Sequence, residues 1–384
     1  MNQQNGAKRV RVELFLGEAP LFERKVSAGL LEFGLSHPGW LFSVRGASFQ
    51  YTTAWLRSNG IDGVLVVVQD ATVGCVLDKA GVPWVHMFPG QPVEHPSIDT
   101  DDQAIGRTGA EYLLGKGFHR YGFCGLKTPW SMDREKAFVD RLSASGRTAD
   151  RLRIPLANRQ DWLFSSAVQK RLDGWVANLG RKTAVMVAHD ALANRLVDLC
   201  LQRGLRVPQD IAVLGTGNHD LFCRLSPVPV SSIETAVPQA AYRAAEILKT
   251  MLEGGTAPAS TTIKPTGVVE RASTDILVYE NELVSRILTY IRAHAGDSLR
   301  VDDLVREFPV SRRSLSRYFA QVVGHSPSAE IRAARLRLAR ELLETSHLSM
   351  TEVAMASGYA DLPHMDKSFR DALGILPSAL RSHR

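Results

Sequence analysis

"EVAMASGYADLPHMDKSFR", residues 352–370, reads as a short amphipathic helix, a glycine break and a second helix. Val353, Ala354 and Ala356 supply the packed face of the first helix, and Ala354 is small where two helices must approach closely. Gly358 permits a sharp turn and Tyr359 plugs the angle. The second helix runs from about 361, with Pro363 in its first turn, where a missing N–H costs little, and Phe369 returning to the core. A companion lies about 50 residues upstream in "VDDLVREFPVSRRSLSRYFAQVVG", residues 301–324. There Leu304, Val305 and Phe308 face inward, Pro309 and Val310 make the turn, and Ser311 is suited to cap the next helix. Two helix-turn-helix units are therefore predicted, at about 301–322 and 350–373. "PSAEIRAARLRLARELLETS" between them predicts a helix of roughly 18 residues, about 27 Å long. Such a rod sets two reading heads near one DNA turn apart, about 34 Å.

Charge narrows the face that would read a duplex. From 276 to 384 there are 15 Lys and Arg against 13 Asp and Glu, so bulk charge does not point to nucleic acid and local pattern must. No acid occurs from 308 to 329, where the first reading helix carries Ser311, Arg312, Arg313, Ser314 and Arg317. Arginine makes bidentate contacts to guanine and also holds phosphates. Arg312 and Arg313 are assigned to bases or phosphates, and Arg317 is partly structural. In the second helix Asp361, Leu362, His364 and Lys367 are the candidates, with Asp361 and Asp366 balancing the positive charge. A solvated helix face is the plain alternative for each.

Upstream of a boundary near 275–282 the periodicity differs. "VRVELFLG" (10–17), "GWLFSV" (39–44), the continuous apolar run Val64–Val68 and "GVPWVHMFP" read as strands separated by helical stretches. The alternation restarts after residue 100 with "RYGFCGL", "TAVMVAHD" and "DIAVLGTGN". Strands apolar on both faces indicate parallel sheets covered by helices, here in two α/β lobes. Each lobe places ligand groups at the carboxyl ends of its strands, and a cleft between lobes couples binding to hinge closure.

These residues resemble the LacI-type periplasmic-binding-protein fold over about 8–275. The likeness rests on "SIDTDDQAIGRTGAEYLLGKGFHRYGFCG", "DREKAF", "AVMVAHDALANRLVDLCLQRGLRVPQDIAVLGTGN" and "SPVPVSSIETAVPQAAYRAAEILKTMLEGG". It implies a two-lobed sugar receptor whose chain crosses between lobes near 126, 232 and 260. Carried over by position, Arg134 matches the sugar-binding arginine and Asp190 a strand-end acid, while Phe22 and Trp130 wall the C–H face of a sugar ring. Plainer readings are a helix-start arginine for Arg134, a helix N-cap for Asp190, and core packing for Phe22 and Trp130. Gly217 departs from the family, which usually has an aspartate there; Asn218, His219 or Asp220 is left to substitute, and Asn218 is the one assigned.

The tail, 282–384, resembles the AraC family DNA-binding domain, most specifically in "LLETSHLSMTEVAMASGYADLPHMDKSFRDALGILPSALR". Ala360, Asp361 and Leu362 depart from the small polar residues usual there, and Leu380 stands where tyrosine is common. A LacI-like core normally follows its own DNA-binding headpiece; here it begins within ten residues of Met1 and the AraC-like domain comes behind it. That order resembles the regulators of xylose operons. The resemblance implies a ligand-controlled transcription factor, an activator that binds promoter DNA, recruits RNA polymerase, dimerises, and takes D-xylose as its first candidate effector. The rival is a sugar receptor whose helical tail joins protein partners.

At 384 residues the chain exceeds one ordinary core. Its net charge of +6 and pI near 9.2 permit a polyanionic partner without requiring one. Cys75, Cys124, Cys200 and Cys223 lack CxxC spacing and read as reduced core thiols of a cytoplasmic protein. No signal peptide or membrane-length apolar run is present in the sequence. "GTGNHD" has Asp220 where a dinucleotide loop needs its third glycine, "GHSPS" lacks the closing glycine of a nucleophile elbow, and there is no phosphate loop. The histidines have no HxxxH or HExxH spacing, so neither a metal centre, a cofactor nor an enzyme is expected.

Overall fold

Val64, Leu65 and Val66 are each buried, so this strand needs cover on both faces, and the chain supplies it by alternating strands with helices. The computed structural model describes residues 9–17, 20–46, 49–67, 71–90, 93–155, 163, 165–276 and 282–380, without the side chains of 17, 20–22, 71, 282 and 344–345. The chain divides into two units, 1–275 and 276–384.

The first lobe of unit one runs β1 (Val10–Gly17), α1 (Pro20–Ser36), β2 (Trp40–Gly46), α2 (Thr53–Ser58), β3 (Gly63–Val66), α3 (Ala71–Ala80), β4 (Trp84–Met87) and β5 (Ser97–Thr100). The second runs α4 (Asp102–Gly115), β6 (Arg120–Leu126), α5 (Pro129–Ser143), β7 (Ala149–Ile154), α6 (Ser166–Asn178), β8 (Thr183–Val187), α7 (Asp190–Gln202), β9 (Ile211–Thr216), α8 (Asp220–Arg224) and β10 (Ser231–Glu234). The chain then returns through α9 (Val237–Leu252) and β11 (Ser260–Ile263) to the first sheet, and ends the unit with β12 (Gly267–Val269) in the second. The sheet orders are β11-β5-β4-β3-β1-β2 and β12-β10-β9-β8-β6-β7. The pairings are parallel except β10 with β12.

The first crossing lies at Thr100–Asp101, not near 126. Asp101 caps α4, which packs on α5, and β6 sits inside the second sheet between β7 and β8. The other crossings fall at 235–236 and 264–266, a few residues beyond those expected near 232 and 260. Asp101 N donates to Ile263 O at 2.9 Å and Thr266 N to Glu234 O at 3.0 Å, which ties the three crossings into one band.

In the first lobe α9 presents Ala240, Ala241, Ala244 and Ala245, all buried, toward α1. Close approach is required there: a Cβ on Gly29 of α1 would stand 1.9 Å from Pro238 O. Cys124, Cys200 and Cys223 are buried, whereas Cys75 is exposed, on the outer side of α3, and is not a core thiol.

Unit two holds α10 (Glu282–Ala293), α11 (Val301–Glu307), α12 (Arg312–Tyr318), α13 (Pro327–Thr345), α14 (Met350–Ala356) and α15 (Leu362–Leu373). A π-helical turn, Phe319–Val323, continues α12, and a 3-10 turn, Pro377–Leu380, follows α15. The α11–α12 pair packs with α10, the α14–α15 pair packs around Ala339 and Leu343 of α13, and α13 serves both. The two pairs repeat in detail. Ser311 caps α12 by accepting from Ser314 N at 3.1 Å, and Asp361 caps α15 by accepting from His364 N at 2.9 Å. Phe319 and Phe369 close the two cores at 0% exposure. Val353 and Ala354 pack as expected, but Ala356 is exposed, and only its carbonyl lies against the Gly296 backbone. The turn at Gly358 has φ +78.

Phe369→Ala should destabilise the α14–α15 pair by about 3–5 kcal/mol. Hydrogen exchange over 350–380 should rise, while exchange over α10–α12 changes far less because Phe319 anchors a separate cluster.

Candidate effector cleft and nucleic-acid interface

The carboxyl ends of β6, β8 and β9 bring Trp130, Arg134, Ala188–Asp190 and Gly217–Asp220 to one rim of the second lobe, and the end of β5 brings Asp99 to the crossing band. Arg134 is well fixed. Its Nε donates to Asp102 Oδ1 at 2.7 Å, its Nη1 to Ala188 O at 2.9 Å, and its guanidinium lies 4.7 Å from the Trp130 ring centroid. Trp130 is half-buried, packed against the second-lobe core while its ring carries that guanidinium. Burial raises the pKa of Asp102 even with Arg134 opposing it, and burial likewise pushes Asp99 up to about 6 against hydrogen bonds from the Gly90 and Thr100 amides.

Asp190 departs from its expected place as an open acceptor. It is 0% exposed, and it is the first residue of α7 and not the cap, which is His189. Its Oδ2 accepts from His219 N at 2.8 Å and its Oδ1 from Ser232 Oγ at 2.6 Å. The carboxylate therefore fastens the Gly217–His219 loop to β10. His189 Nδ1 accepts from Ala191 N at 3.2 Å, and burial, partly offset by Asp190, holds its pKa well below the usual histidine range, so the ring is neutral.

Asn218 is tied on both sides of its amide: Arg271 Nη2 donates to its Oδ1 at 2.7 Å and its Nδ2 donates to Glu234 Oε2 at 3.0 Å. Gly217 has φ +116, and a Cβ there would lie 2.9 Å from His219 Cδ2 and 3.2 Å from Asp190 Oδ2. The family's aspartate would not fit this loop as built. Phe22 lies outside the residues whose side chains are described. Lys25 of α1, Asp102, Glu234 and Arg271, which sequence reasoning did not single out, all belong to this network. A separate concavity of about 520 Å³ at the amino ends of β4 and β5 is lined by Asp78, Trp84 and His95, whose polar groups bond one another.

In unit two the exposed side of α12 carries Arg312, Arg313, Ser316 and Arg317. Arg312 Nη1 reaches Asp302 Oδ1 at 2.9 Å, an exposed pair that orients the side chain with little effect on stability. Arg317 lies 5.4 Å from the Tyr318 ring centroid, and Ser311 and Ser314 are engaged in the helix cap. On α15 the exposed side carries His364, Lys367 and Arg370. Arg370 was missed, although it lies three residues past Lys367 on the same face. Asp361 is the cap and also bonds His364 Nδ1 at 2.7 Å, and the His364 amide first, then its ring, lower the pKa of Asp361. Leu362 is half-buried against the α13–α15 core and is not a free groove contact. Glu330 at the start of α13 is buried at 3% exposure and accepts from His325 Nε2 at 2.8 Å and Arg337 Nη2 at 3.1 Å. Burial raises its pKa, but the hydrogen bond from His325 and the Arg337 guanidinium outweigh that and hold it below the ordinary glutamate range.

Comparisons with known proteins place both units. A periplasmic binding protein-like domain matches residues 110–274 and a helix-turn-helix domain residues 304–383. The xylose operon regulatory protein of Escherichia coli K12 is 28% identical over 97% of both chains, and that of Haemophilus influenzae 24% identical over 97% of this chain and 98% of its own. A solved structure of the xylose-binding transcription activator xylR covers 98% of this chain and 99% of its own, with 26% identity and a TM-score of 0.67. In the order of its two units this chain is similar to the transcription regulators that join a periplasmic-binding-protein-like domain to a helix-turn-helix domain. The regulator's relatives over its full length are transcription regulators and not enzymes. Its first unit also shares the fold of a CelR–cellobiose complex, at 22% identity and a TM-score of 0.57.

Two outcomes follow from these networks. Asp190→Ala leaves a buried amide and hydroxyl without their acceptor and should destabilise the receptor by roughly 2–4 kcal/mol, read by denaturant unfolding. Glu330 contributes stability that is full above its unfolded pKa, about 4.3, and is lost as pH falls through its lower folded value. Glu330→Gln should therefore lower the unfolding midpoint of the helical unit at neutral pH and bring it level with the wild type in strong acid.

Proposed function

We propose that the chain is a sugar-responsive transcription regulator, an activator whose receptor cleft takes D-xylose and whose helical unit grips promoter DNA with α12 and α15. The observation that carries this reading is the doubled helix-turn-helix behind a two-lobed receptor, with exposed Arg312, Arg313 and Arg317 on α12 and exposed Lys367 and Arg370 on α15. The effector assignment is supported by the full-length relatives, a xylose operon regulatory protein and a xylose-binding transcription activator. It also draws on the cleft chemistry: a guanidinium fixed by Asp102 and set against the Trp130 indole suits a ring with one apolar face and several hydroxyls.

In mechanism, effector binding at the rim shifts the lobe–lobe equilibrium, and the shift reaches DNA only if the effector binds the two states unequally. Arg134 and Trp130 hold the sugar, and Asp190 positions the loop behind it. Arg312 and Arg313 contact bases or phosphates in the first groove; His364, Lys367 and Arg370 serve the second. A homodimer, contact with RNA polymerase and a cytoplasmic location complete the reading. The described helices contain none long and apolar enough to cross a membrane.

Isothermal titration with a panel of pentoses and hexoses should give binding to D-xylose that Arg134→Ala abolishes. Footprinting should protect two adjacent major grooves. Arg312→Ala with Arg313→Ala should weaken promoter binding and reduce the steepness of its salt dependence by about one to two charges. Unchanged affinity would remove these arginines from the interface.

A further inference from the structure

Lys25 lies on α1 of the first lobe and Glu234 ends β10 of the second. Across the cleft, Lys25 Nζ donates to Glu234 Oε1 and Oε2, each at 2.7 Å, and to Gly217 O at 2.6 Å. An ammonium has three donors, and here three oxygens receive them. The second lobe builds this socket from its own parts. Asn218 Nδ2 holds Glu234 Oε2, Arg271 holds Asn218, and the Glu234 carbonyl is bonded to Thr266 N in the third crossing. The Gly217 backbone conformation, which a side chain would disfavour, is part of the socket because its carbonyl is the third acceptor. The lysine and glutamate side chains are 17% and 23% exposed, so water screens the pair only in part.

We propose that this is an interlobe clasp: Lys25 is a tethered cation that holds the cleft closed in the absence of effector. It takes the place of the contact that an effector hydroxyl would make to an aspartate at position 217. The effector thus meets a receptor already biased toward its binding-competent state, and the regulator has a built-in resting closure that the clasp sets. A competent state that is more populated raises apparent affinity in proportion.

The clasp is tested without any sugar, on the full-length protein. Spin labels on the native exposed Cys75 of the first lobe and on Lys170→Cys, exposed on α6 of the second, report the lobe-to-lobe distance; the other three cysteines are buried. Lys25→Gln and, separately, Glu234→Gln should each shift the sugar-free distance distribution to longer values and broaden it, with circular dichroism confirming the fold. If Glu234→Gln fails to fold, Lys25→Gln alone decides. An unchanged distribution in a folded Lys25→Gln protein overturns the proposal. Where D-xylose binds the wild type, Lys25→Gln should weaken it roughly fivefold or more while D-xylose restores the short distance. Absence of D-xylose binding to the wild type overturns the effector assignment instead, and the sugar-free distances still judge the clasp.

Discussion

The receptor depends on a narrow constraint: its chain passes between the two sheets three times, and the three passages are hydrogen-bonded to one another. Asp101 to Ile263 and Thr266 to Glu234 make a band that bends as one piece, so the lobes keep a shared axis of motion. Groups at the carboxyl ends of the strands meet across that axis. Closure is then a change in angle at residues 100–101, 235–236 and 264–266 and not a repacking of either core, each of which is filled by its own buried cluster.

The cleft shows how a polar site is kept in shape. Arg134, Asp190 and Asn218 each have protein partners that fix their orientation, and burying such groups without partners would be far more costly. Asp190 holds the loop, the loop presents the Gly217 carbonyl, and Arg271 steadies Asn218 against Glu234. A missing aspartate in the sequence is thus matched by a loop that leaves no room for one.

Much of this was legible in the sequence because long periodic segments report burial directly. The run at β3 announced a strand covered on both faces, and the helix-turn-helix pairs announced themselves by capping residues and core aromatics at matching positions. Other features carry no local signal. β5, β11 and β12 have three or four residues each, too few to show a period. β7 is an edge strand with Asp150, Arg151 and Arg153, and Arg153 is spoken for by buried Glu135. The lobe that owns α4 is decided by packing on α5, which moved the first crossing. Lys25 and Glu234 lie 209 residues apart, and neither charge looks unusual where it stands. Leu362, a candidate DNA contact in the sequence, is half-buried against the cluster that includes Met365 and Phe369.

The position of α9 has a consequence for how the protein comes into being. The second lobe is nearly continuous, from Asp102 to Glu234, apart from its short edge strand β12, whereas the first lobe lacks the helix that covers α1 until Val237–Leu252 has been made. On the ribosome, the lobe nearer the amino terminus must therefore wait, with Val26, Leu30 and Phe33 uncovered, while the lobe that follows it can already collapse. Maturation of this receptor runs against the order of its translation, and the interval before α9 emerges is when a chaperone would find the most apolar surface to hold.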